Sequence, residues 1–141
     1  MKSQLKLMSF VIVATIIIYA GCKKEQSAPV SMNFTYSGQK APGSFIGTFS
    51  ATGGIKTSGT NLMTVQTVGE EFNCVYTLTP DDGGSIVLYS HCKMATNTGT
   101  WRILNGTGSY SNLGGNGSLI MTYPGAGVVV REVLEGTVFK K

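Results

Sequence analysis

The sequence predicts an all-β domain, and three observations carry that prediction. Charged residues make up only 13% of the chain while glycines number 19, a balance too rich in glycine for a helical bundle. Apolar residues reach 42%, too many for a disordered chain. From residue 32 onward, short apolar or alternating runs are separated by clusters of Gly, Asn, Asp and Pro, which is strand and turn punctuation, and no 3.6-residue period is sustained there. A chain of 141 residues forms one domain with a real core, burying about two thirds of the surface exposed when unfolded.

The first twenty-one residues read as a leader. Lys2 and Lys6 precede an apolar stretch from Leu7 to Ala20, and Tyr19-Ala20-Gly21 then leads directly into Cys22. A basic start, an apolar middle and small residues at the end make a secretory signal. Ala-Gly immediately before Cys is the specific feature, because lipoprotein signal peptidase cuts before a cysteine whose thiol already carries diacylglycerol. The segment resembles a bacterial lipobox, with Tyr19 in place of the usual aliphatic residue. Leu7 to Cys22 is short against the roughly 20 residues that span a bilayer, which disfavours an uncleaved anchor. The expected organisation is a signal peptide over 1–21, a polar tether over 22–31 and a barrel or sandwich over 32–141. Lys23 after the cysteine accords with the outer membrane of a bacterial envelope. Loss of Lys2 and Lys6 lowers the formal charge of +4 by two, so the basic balance gives no argument for nucleic acid.

Eight strands are expected, over residues 32–36, 44–52, 61–67, 72–79, 85–95, 100–104, 117–123 and 128–139. Such a set forms either a sandwich or a barrel, and an eight-stranded barrel has room for packed side chains or one small ligand. The hairpin around Pro80-Asp-Asp-Gly-Gly84 can be read in register. Centred on Gly83, it places Phe72 opposite Met94, Cys74 opposite Cys92, Tyr76 opposite Ser90 and Leu78 opposite Leu88, all on one face. With Cys22 assigned to lipid, Cys74 and Cys92 form an even pair in an oxidising compartment, so a cross-strand disulfide is expected. No metal or other cofactor is expected: His91 falls on the opposite face, beside Val75, Tyr89 and Lys93, and no second soft ligand accompanies the cysteines.

The most distinctive stretch runs Gly99-Thr-Trp-Arg-Ile-Leu-Asn-Gly-Thr-Gly-Ser-Tyr-Ser-Asn-Leu-Gly-Gly-Asn-Gly-Ser-Leu119. Gly106 and Gly108 permit a tight turn, and Tyr110 and Leu113 are placed to plug a core from it. A phosphate cradle is the alternative, weakened by the lack of a Lys-Ser or Lys-Thr pair and of a following helix. Together with Gly47-Thr-Phe-Ser-Ala-Thr-Gly-Gly-Ile55, the stretch resembles bacterial proteins of the allene oxide cyclase-like barrel group, related to dirigent proteins and other calycin-like barrels. The resemblance covers roughly residues 32–139. It implies a single eight-stranded antiparallel barrel with an apolar cavity, and it carries no catalytic residues across.

Catalytic candidates are few, and none is assigned. Asp81 and Asp82 belong to the hairpin turn and Glu70 and Glu71 to a connection, so solvated carboxylates are expected at all four. Alternation in Val128-Val-Val-Arg-Glu-Val-Leu-Glu135 puts either Glu132 or the Arg131 and Glu135 pair on the inner face. The simpler expectation is a charge at the rim near water, whereas a carboxylate inside would need a partner or a raised pKa.

Phe45, Phe49, Tyr76, Trp101, Met121, Tyr123 and Glu132 are the candidate cavity lining. The function expected is a lipid-anchored envelope protein, without catalysis, whose barrel binds an apolar small molecule or a protein partner. The alternatives are a cyclase or isomerase, favoured by a buried polar cluster around Glu132 or Arg131, and a structural role through a homo-oligomer.

Overall fold

A computed structural model describes residues 26–125 and 127–141; the leader expected over 1–21, Cys22 and residues 23–25 lie outside the described residues. Eight antiparallel strands close into a barrel in simple up-and-down order. They are β1 (Ala28–Ala41), β2 (Ser44–Gly53), β3 (Thr57–Val68), β4 (Glu71–Pro80), β5 (Ser85–Lys93), β6 (Thr98–Thr107), β7 (Leu113–Thr122) and β8 (Val130–Lys140). β8 pairs with β1 from Ala28 opposite Val138 to Tyr36 opposite Val130, leaving no free edge. The tether expected over 22–31 is therefore corrected: Ala28 to Ser31 already belong to β1.

Alternation sorts the residues. In β1, Val30, Met32, Phe34 and Tyr36 point inward, and in β8 Val130, Glu132, Leu134 and Val138 do so. Arg131 and Glu135 face outward. The rim charge expected for Glu132 is thus overturned, since its side chain is fully buried. Inverting β8 would bury Arg131 and Glu135 in place of Val130 and Leu134, whereas the observed phase buries one carboxylate with three apolar inward neighbours on its strand, Val130, Leu134 and Val138.

Simple up-and-down topology gives the barrel two unlike ends. One carries the β2–β3, β4–β5 and β6–β7 connections and is sealed. There Gly108–Tyr110 form one turn of 3-10 helix after β6, and the Tyr110 side chain is buried as part of the core. Gly108 has φ +61°, a left-handed value that suits glycine, and a Cβ on Gly106 would collide with the backbone carbonyl of Tyr110. Leu113, half-buried, packs against the same core. The Tyr110 hydroxyl donates to the Asp82 carboxylate at 2.9 Å, and Thr57 donates to the same carboxylate at 3.0 Å. These donors, Tyr110 first, hold the Asp82 carboxyl below its usual range. Ser58 donates to Asp81 at 2.8 Å. The two aspartates expected as free turn carboxylates therefore tie the β4–β5 turn to the plug and to β3.

The β4–β5 register also corrects an expectation. Phe72 pairs with Cys92, Cys74 with Ser90, Tyr76 with Leu88 and Leu78 with Ile86, a slip of two residues from the expected partners. His91 sits opposite Asn73 rather than Val75, and its Nε2 lies 3.3 Å from Glu71 on the outer surface. Gly83 N–H donates to the Pro80 carbonyl at 3.1 Å, and Gly84 follows with φ +78°. The tight turn is Pro80 to Gly83 with an extra residue after it, not a loop symmetric about Gly83. Cys74 and Cys92 remain buried free thiols, diagonal to one another, and the expected disulfide is not formed.

Candidate functional site: the barrel mouth and the polar layer beneath it

The other end of the barrel, with the β1–β2, β3–β4, β5–β6 and β7–β8 connections, is open. A pocket of about 310 Å³ begins between these loops. Its walls are Gly43, Phe45, Val65, Thr67, Phe72, Tyr123 and Val129, and its floor is Met63, Cys74, Met121 and Val130. The lining is apolar apart from Thr67, the Tyr123 hydroxyl and the Cys74 thiol. Burial pushes that thiol up to about 12, with the Glu132 charge adding to the effect, so it stays protonated and unreactive.

Of the expected lining, Phe45, Met121 and Tyr123 do line the pocket, Tyr123 as a half-exposed rim residue. Phe49, Tyr76 and Trp101 do not. Phe49 stacks on Phe34 at 6.0 Å between ring centres, and Phe34 meets Tyr76 at 5.6 Å, filling the middle of the barrel. Trp101 is packed against β7 and β8, and its indole N–H donates to the Glu135 carbonyl at 3.2 Å. Gly117, opposite Trp101 on β7, lies so close to Glu135 and Gly136 that a Cβ there would overlap the β8 backbone. The interior is thus filled except at the mouth.

Glu132 also lies off the lining, one layer below the floor. It is opposite Met121 across β7–β8 and two residues along β8 from Val130; Tyr76 is opposite Met63 and two residues from Cys74. Around Glu132 gathers a polar layer drawn from five strands. Tyr76 donates to Glu132 Oε1 at 3.3 Å and shares a 2.7 Å hydrogen bond with Ser90. Tyr36 donates to Oε2 at 3.5 Å and accepts from Asn61 Nδ2 at 2.5 Å. Asn61 Oδ1 is buried and has no hydrogen-bond partner.

Desolvation raises the Glu132 carboxyl from 4.5 to about 7, against the lowering effect of the Tyr76 and Tyr36 hydroxyls. Both hydroxyls are themselves held neutral well above the usual tyrosine range, by burial first and by the Glu132 charge second. Glu132 is the one ionisable acid or base buried in the core among the described residues, apart from these phenols and the thiols, and no Lys, Arg or His accompanies it. Chemically, the layer can accept a proton or a donor near neutral pH.

Tyr36, Asn61 and Ser90 were not singled out from the sequence. Their signal is nonetheless present: each is a polar-tipped residue in phase with apolar inward neighbours, Phe34, Met63 and Leu88 respectively. Comparison of the chain with models of protein families, with curated proteins and with solved structures returned no match.

Proposed function

We propose that this protein is a lipid-anchored binding protein of the bacterial envelope that takes an apolar small molecule into the mouth of its barrel. The half-enclosed apolar pocket of about 310 Å³, at the one end that no side chain plugs, is the observation that carries the reading. Support for the anchor comes from Ala20-Gly21-Cys22 in the sequence.

The binding reading is tested by filling the pocket. Val65 is only partly buried and faces the space, so Val65→Trp occupies it with little strain on the core. Fluorescence of phenylnaphthylamine, a neutral apolar probe, is expected to rise with the full-length protein in phosphatidylcholine nanodiscs, above empty nanodiscs. Val65→Trp is expected to weaken that binding by at least about tenfold at an unchanged melting temperature, the scale of one lost apolar contact region. Probe binding that survives the substitution refutes the pocket as the site. For the anchor, Cys22→Ser is expected to move the protein from the membrane to the soluble fraction without changing its melting temperature; continued membrane association refutes lipidation at Cys22.

A second reading, a cyclase or isomerase, is favoured by the buried carboxyl beneath the pocket, which near neutral pH is suited to exchange a proton with a bound substrate. It differs from pure binding in one outcome: Glu132→Gln then abolishes turnover of a substrate that still binds.

A further inference from the structure

The polar layer has more acceptors than donors. Glu132 offers two oxygens, each met by a single long hydrogen bond of 3.3 or 3.5 Å from a tyrosine, and the buried Asn61 Oδ1 has no donor. No cation lies inside the barrel among the described residues to balance the carboxylate. A buried carboxylate without a counter-charge is costly and is normally paired.

We infer that the ligand of the mouth pocket is an organic amine, an apolar body held by the pocket walls with a protonated nitrogen that passes between Met63 and Met121 to meet Glu132. The inference rests on the binding reading above and names the ligand class. An ammonium group supplies both the missing positive charge and the missing donors. Only the floor separates pocket from layer, and each of the two methionines is paired across strands with a member of it: Met121 with Glu132, Met63 with Tyr76. Methionine is unbranched and readily changes rotamer, so this is the part of the floor suited to yield. Tyr36 and Phe45, whose rings meet edge to face at 6.5 Å, bring aromatic side chains to both levels, Phe45 to the pocket wall and Tyr36 to the polar layer. A neutral ligand leaves the carboxylate unbalanced, and an anionic one adds a like charge.

The titratable groups facing Glu132 are Tyr36 from β1, Cys74 and Tyr76 from β4, Cys92 from β5 and Tyr123 beyond β7, all raised and neutral near pH 7. The inward residues of β2, β3, β6 and β7 contribute none. Amine binding therefore follows the ionisation of Glu132 alone, strengthening as pH rises through its titration and weakening below it.

The test uses the full-length protein in phosphatidylcholine nanodiscs, with empty nanodiscs as blank, and calorimetric titration of n-octylamine, n-octanol and n-octanoate, which share one chain length. At pH 8 octylamine is expected to bind at least about tenfold more tightly than octanol, and octanoate more weakly than either. At pH 5 the advantage of the amine is expected to shrink toward parity. Glu132→Gln is expected to remove the advantage while octanol still binds, which also reports an intact pocket. Equal binding of amine and alcohol at pH 8, or an amine advantage that grows as pH falls, overturns the inference and leaves the apolar pocket standing. Failure of all three ligands to bind overturns the binding reading and the inference together.

Discussion

Glu132→Gln is expected to stabilise the ligand-free protein by about 3 kcal/mol at pH 8 and to leave it nearly unchanged at pH 4, measured as the difference between urea unfolding curves of variant and wild type. The carboxyl titrates near its ordinary 4.5 when unfolded and near 7 when folded. Between those values the folded chain holds a proton that the unfolded chain has released. The stability associated with the neutral acid is complete below about 4.5 and is lost as pH rises through 7, after which the full cost of a buried charge is present. Glutamine has nearly the same shape and carries no charge; its one carbonyl oxygen can accept from one of the two tyrosine hydroxyls while its amide N–H donates to the other hydroxyl oxygen, so it removes that cost. A difference between variant and wild type that does not change with pH refutes the placement of an ionisable Glu132 in the interior. A position that destabilises the fold where glutamine would not is the usual mark of a group kept for what it binds or does.

Tyr110→Ala is expected to cost about 3 kcal/mol, the scale for deleting a buried aromatic side chain. The ring seals the end of the barrel opposite the pocket, and its removal opens an aromatic-sized void that the short Gly108–Tyr110 turn is too tightly held to fill. Tyr110→Phe is expected to keep most of the stability, because Asp82 is exposed and water replaces the lost hydroxyl. A phosphate-binding loop predicts another pattern: Tyr110→Ala neutral in thermal melts, with nucleotide raising the melting temperature of both proteins. That outcome refutes the plug.

The eight strands were legible because turns in this chain are written in Gly, Asn, Asp and Pro, and because inward residues alternate with outward ones. Every expected run is found within or overlapping one observed strand. The boundaries differ most where strands continue through polar or glycine-rich sequence, as in Thr57 to Thr60 of β3 and Leu113 to Asn116 of β7. Such residues bury little and carry no hydrophobic period; they are strand because a neighbour offers them hydrogen bonds. The plug at Tyr110 was legible too, since an aromatic among small residues after a glycine turn has few other places to go.

The composition and alternation of this chain are sufficient for an all-β domain with one apolar face per strand. They are insufficient for register and for the choice of buried charge. A slip of two residues in β4–β5 keeps Cys74, Tyr76 and Leu78 on the same face, so the pattern is blind to it, and the hydrogen bond of Gly83 to Pro80 selects the partners. The same slip sets Cys74 opposite Ser90 and Cys92 opposite Phe72, so the two cysteines are not the facing pair that the expected disulfide required. Alternation likewise offers two phases for β8; closure onto β1 and β7 selects the one that buries Val130, Leu134 and Val138 and takes Glu132 with them. Whether Glu132 meets water or two tyrosines depends on residues 96 and 56 positions away, brought together only when the barrel closes. Local sequence encodes which face a residue prefers, while contacts between distant strands set what that face meets.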